Sequence, residues 1–109
     1  MMSPISGLPA GIAGLSARGT VLAQDVAQAL KLVVAGSRLV VEVEPAFDGY
    51  MSELVRGVKG ACEGDSLRAC ALVVPEGMLA EAREPGDGGN FRVFAAGARA
   101  EALAWLGRV

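Results

Sequence analysis

The sequence predicts one α/β domain built on a largely parallel sheet, and three observations carry that prediction. Strand-like and helix-like segments alternate along the chain, as they do where helices cross between parallel strands. The clearest strand candidates, Leu39-Val40-Val41 and Ala69-Cys70-Ala71-Leu72-Val73-Val74, are nearly unbroken apolar runs, the pattern of interior strands covered by helices. The chain has 109 residues, enough for one sheet with its helices and too few for a second sizeable core. Residues 1–109 are therefore expected to form a single domain.

The elements follow in order. Met1 to Pro9 reads as an irregular lead, broken by Pro4, Gly7 and Pro9 before any periodicity begins. Gly11 to Ala17 is a strand candidate, Arg18-Gly19 a turn or bulge, and Thr20-Val21 a prolongation of that strand. Ala23 to Val34 is helical: Val26, Leu30, Val33 and Val34 stand at i, i+4, i+7 and i+8, one buried stripe, and Gly36 follows as a stop. The residue before this helix is Leu22, whose side chain cannot accept first-turn amide bonds as Ser, Thr or Asp would. Asp25 suits the positive first turn.

Leu39 to Val43 is the strongest strand, closed by Pro45, and Ala46 to Tyr50 is expected to be a loop. Met51, Leu54, Val55, Val58 and Cys62 mark a second amphipathic helix. Gly57 and Gly60 each weaken it by about 1 kcal/mol against alanine, so it should depend on packing. Asp65-Ser66 leads into a strand over Leu67–Val74, and Met78 to Arg83 supplies a helical turn or two. Glu84 to Asn90, with three glycines, reads as a flexible loop. Phe91 to Phe94 alternates Phe91 and Val93 against Arg92 and Phe94, a short strand. Arg99 to Leu106 closes the chain as a helix with Ala102, Leu103 and Leu106 inward and Trp105 covering its edge.

Composition excludes several function classes. The net charge is −2 and the basic residues are scattered singly, so no stripe exists to track a nucleic-acid backbone or an anionic membrane. The apolar runs are far shorter than the roughly 20 residues that span a bilayer, and the N-terminus lacks the pattern of a secretion signal. The expectation is a cytoplasmic protein with no transmembrane segment. Cys62 and Cys70 have neither CxxC spacing nor a histidine nearby, so they read as small buried side chains rather than a disulfide or metal site.

Gly7-Leu8-Pro9, Gly11-Ile12, Gly14 and Gly19-Thr20-Val21 precede Gln24-Asp25 at the first helix. Leu39 to Glu44 is followed by Phe47-Asp48-Gly49-Tyr50, and Glu101 to Leu106 closes the chain. In this order and spacing the segments resemble the small bacterial SpoIIAA-like proteins, relatives of the STAS domains (sulfate transporter and anti-sigma factor antagonist), over nearly the whole chain. The resemblance implies an α/β sandwich with a central, mostly parallel sheet and helices packed mainly on one face. The chain departs from the family at Leu22, where members usually have Thr, and at Gln24, where they have Glu. Members commonly add an N-terminal edge strand, for which Met1 to Ser6 is a short candidate. The phosphorylated Ser-Ser-Gly motif of true antagonists would fall near Gly49 to Leu54, where this chain has only Ser52. The bland reading of Ser52 is a helix cap or surface residue.

No histidine occurs, which removes the usual general base near neutral pH and the commonest metal ligand. Glu42, Glu44 and Asp48 cluster at the carboxyl end of the best strand, where ligands bind in open α/β sheets. Such acids could share a proton or hold a cation, but strand-end acids reaching solvent are the favoured reading. The glycine loop Gly86 to Asn90 precedes a strand rather than a helix, so it is no phosphate cradle. Neither a cofactor nor a metal is expected.

The function expected is therefore non-enzymatic binding by an interaction module or regulatory scaffold. Phe47, Tyr50, Met51 and Leu54 would form the surface for a protein partner or a second copy, aromatic anchors being enriched at such surfaces. The bland reading of Phe47 and Tyr50 is that they seal the end of the core. The alternative function is a carrier or sensor of a nonpolar small molecule or lipid, because Ala-, Val- and Gly-rich helices can leave space unfilled. An enzyme using the strand-end carboxylates is the remaining alternative.

Overall fold

The computed structural model describes residues 1–64, 67–86 and 89–109. In chain order its strands and helices are β1 Met2–Pro4, β2 Ile12–Ala17, β3 Thr20–Val21, α1 Ala23–Lys31, β4 Arg38–Val43, β5 Asp48–Gly49, α2 Met51–Glu63, β6 Ala69–Val74, α3 Leu79–Gly86, β7 Phe91–Ala95 and α4 Arg99–Arg108. Short 3-10 turns over Glu76–Met78 and Ala96–Ala98 lead into α3 and α4. The main sheet runs β1-β2-β4-β6-β7. Strands β2, β4, β6 and β7 are parallel, and β1 joins the edge antiparallel to β2.

Each crossover advances one strand in the same direction. With right-handed connections this places α1, α2 and α3 on one face of the sheet. Leu39, Val41, Cys70, Leu72 and Val74 point to that side, against Val26 of α1, Leu54, Val55 and Val58 of α2, and Ala82 of α3. The intervening Val40, Ala71 and Val73 point to the other side, where Ala102, Trp105 and Leu106 of α4 cover them. The two-residue alternation of the strands thus feeds two cores, which is why β6 is buried at every position.

Beside α4 the second face is completed by the lead. Leu8 and Ile12 pack into this smaller core, and a Cβ at Gly14 would fall on Leu8 and Ile5. Glycine at this strand position lets the lead lie directly on the sheet. The guanidinium of Arg38 donates from Nε and Nη2 to the Val109 carbonyl oxygen at 2.9 and 2.6 Å, tying the end of α4 to the start of β4.

Several expectations change. The lead contains a strand, with Pro4 on the sheet edge, where its missing N–H costs no ladder bond. Thr20-Val21 does not prolong β2; it forms a separate parallel ladder with Asp48-Gly49, inside the segment expected to be a loop. The first helix ends at Lys31, before Val33 and Val34, and Val34 is 75% exposed rather than on the buried stripe. Glu84, Pro85 and Gly86 belong to α3, not to a loop. In the expected glycine loop, residues 87 and 88 lie outside the described part, as do Asp65 and Ser66. Trp105 is buried in the second core instead of covering an edge.

The cysteines also depart from expectation. Both are buried, as predicted, but Cys62 and Cys70 are joined as a disulfide with Cα atoms 6.6 Å apart. Spacing in the sequence did not reveal this, because the pairing arises where the last turn of α2 lies over the second residue of β6.

The β3–β5 ladder depends on Gly49. A Cβ there would stand 2.8 Å from the carbonyl oxygen of Val21 and 3.1 Å from Cζ of Phe47, and the first of these neighbours is backbone that cannot rotate away. Gly49→Ala is expected to destabilise the fold by about 1–3 kcal/mol, read as a lower urea midpoint. An unchanged midpoint would show that the ladder yields without cost.

Candidate functional site

The carboxyl ends of β2 and β4 and the small β3–β5 ladder converge at one end of the sheet. Ladder pairing sets Thr20 opposite Asp48 and Val21 opposite Gly49. The next residues, Leu22 and Tyr50, therefore leave the ladder side by side, each as the residue preceding a helix. Neither caps its helix with a side chain. Asp25 compensates in part, its Oδ2 accepting the Leu22 N–H at 2.9 Å. Leu22 is 51% exposed and Tyr50 74%.

The expected docking surface is thus partly redistributed. Tyr50 is exposed and Phe47 is half-buried against the main core, but Met51 and Leu54 lie inside that core. Their helical spacing marked the buried stripe of α2, not a surface. Leu22 is a second exposed apolar residue at this end of the sheet, and its signal was an apolar residue at a position where a capping side chain is the norm. Ser52 is exposed on the first turn of α2, and the cap position belongs to Tyr50.

Two of the three acids are paired with arginines. Arg99, at the start of α4, donates from Nε to Oε1 of Glu42 at 2.5 Å and from Nη2 to Oε2 at 3.3 Å. The hydrogen bond to Glu42, and then its charge, hold the Arg99 guanidinium above its ordinary range. Glu44 accepts from Ser16 Oγ at 3.3 Å and pairs with Arg18 at 3.7 Å. Asp48 stands on the exposed β5. Two carboxylates each matched by an arginine are poorly disposed to hold a cation, and among the described residues no group of three potential ligands comes together.

Two clefts flank α1. One, of about 570 Å³, lies between α1 and α2 and is lined by Ala23, Ala27, Leu30, Gly57, Ala61 and Leu67, with charged groups beside them. The other, of about 670 Å³, lies between α1 and the β1 edge and includes Met1, Leu32 and Val34. Both volumes fall within the usual range for small-molecule sites. Among the described residues no helix is long and apolar enough to cross a membrane. Comparison with family models, curated proteins and solved structures finds no match to this chain.

Proposed function

We propose that this chain is a non-enzymatic, STAS-like interaction module that docks a protein partner, or a second copy of itself, through Leu22 and Tyr50. The observation that carries the reading is that two exposed apolar residues, Leu22 and Tyr50, each directly follow a paired strand end of the β3–β5 ladder and each occupy a helix-cap position. A Ser, Thr or Asp at either place would strengthen its helix by about 1 kcal/mol. Local stability is set aside at both positions, and departures of that kind concentrate at functional sites. Tyr50 supplies an aromatic anchor of the sort enriched where binding energy is concentrated. The parallel run of strands with its helices mainly on one face accords with the STAS-like resemblance.

The test is a concentration series in native mass spectrometry, wild type against the double variant Leu22→Ser, Tyr50→Ser. The wild type is expected to form a defined complex that the variant loses, while the variant gains about 1 kcal/mol of stability per restored cap. Association that is absent in both proteins, or identical in both, would refute docking of a second copy. A binding partner retained equally by both would refute this surface for any protein.

A further inference from the structure

The cleft between α1 and α2 has a cause in the sequence. Gly57 brings the helices together so closely that a Cβ there would lie 2.8 Å from Cγ1 of Val26. Outside that contact the facing walls carry Ala23 and Ala27 on α1 and Ala61 on α2, side chains too short to meet across the gap. Leu30 and Leu67 add larger apolar walls, the latter from the segment that enters β6. The result is an apolar trough that the chain does not fill.

Charge distinguishes this trough from the cleft beside β1. Its charged lining is Lys31 on α1 and Arg56 and Glu53 on α2, a formal excess of one positive charge on a chain whose net charge is −2. Three cations elsewhere are paired with acids: Arg18 with Glu44, Lys59 with Glu63 and Arg99 with Glu42. Lys31 and Arg56 are in no ion pair among the described residues, and both are exposed at the rim. The cleft beside β1, by contrast, has Asp25 as its only charged lining side chain among the described residues, beside the Met1 ammonium group.

An apolar trough with two unmatched cations at its rim is complementary to one class of ligand, an anionic amphiphile. We infer that the α1–α2 cleft binds a free, unbranched long-chain carboxylate, its tail against Ala27, Leu30, Ala61 and Leu67 and its head between Lys31 and Arg56. Apolar burial would hold the tail, and the two cations would select the carboxylate. This site is separate from the Leu22–Tyr50 surface and stands or falls independently of it.

Dodecanoate, below its micellar concentration, is the probe, titrated calorimetrically into the full chain beside dodecanol. Saturable one-to-one binding of dodecanoate is expected, about tenfold weaker for dodecanol and for the Lys31→Gln, Arg56→Gln variant. Ala27→Phe should abolish binding by filling the trough. Ala27 is exposed, so that variant should keep the wild-type circular dichroism, and Leu22→Ser, Tyr50→Ser should bind dodecanoate normally. The inference is overturned if dodecanoate does not saturate, if dodecanol binds equally well, if folded Ala27→Phe still binds, or if only phosphatidylglycerol vesicles are bound.

Discussion

Trp105→Ala is expected to lower the unfolding free energy by about 3–5 kcal/mol, the largest effect of any single substitution outside the main core. Among the described helices α4 alone covers the second face of the sheet, and Trp105 is its bulkiest buried side chain. Its ring lies 6.0 Å from that of Phe94, and the Arg92 guanidinium sits 5.4 Å from the ring centroid. The strand residues beneath include Ala69 and Ala71, which are too small to expand into the space that the indole would vacate. Truncation therefore removes the transfer energy of the ring, its contact with Phe94 and the partner of Arg92 together.

Urea unfolding followed by fluorescence-independent circular dichroism measures this directly. Arg92→Ala, which removes only the exposed cation, should cost about 0.5–1 kcal/mol. If Trp105→Ala costs no more than Arg92→Ala, α4 is held by Ala102 and Leu106 alone and the indole is dispensable. Amide exchange would separate the routes to instability. Loosening of α4 alone should expose amides there before those of β6 begin to exchange.

Opening the Cys62–Cys70 bond is expected to destabilise the fold by about 2–3 kcal/mol, the chain-entropy value for so short a closed loop. The two residues are separated by eight positions, and the bond fastens the last turn of α2 to the interior strand β6. Both sulfurs are buried, so alkylation should label neither in the native protein and both after unfolding under reducing conditions. Unfolding curves of the oxidised and reduced chains, with intact mass as the check on redox state, give the difference. Coincident curves would show that the linkage constrains nothing that packing does not already hold.

The alternating order of strands and helices was legible because each element carries its own period. Continuous apolar runs marked β4 and β6, and the spacing from Met51 to Cys62 marked α2 almost to its ends. The same spacing misled at the candidate site. Met51 and Leu54 share a stripe with Val55 and Val58, and a stripe says that residues lie on one face without saying whether a sheet covers it. At the end of α1, Val33 and Val34 continue the apolar pattern, yet the helix stops at Lys31. A periodic pattern specifies a face more sharply than it specifies a terminus.

Local sequence by itself determined the α/β class, the single apolar face of α2, the alternation of β7 and the missing cap at Leu22, because propensity and periodicity act between neighbours in the chain. Tertiary structure alone decided the features made by distant residues. It joined Thr20-Val21 to Asp48-Gly49 and thereby brought Leu22 beside Tyr50. It set Arg99 on Glu42 and Arg18 on Glu44, turning an apparent carboxylate cluster into two ion pairs. It also brought Cys62 onto Cys70 and left a trough between α1 and α2. Each of these depends on how elements stack in space, and stacking is set by the combined burial of many side chains rather than by the residues that finally meet.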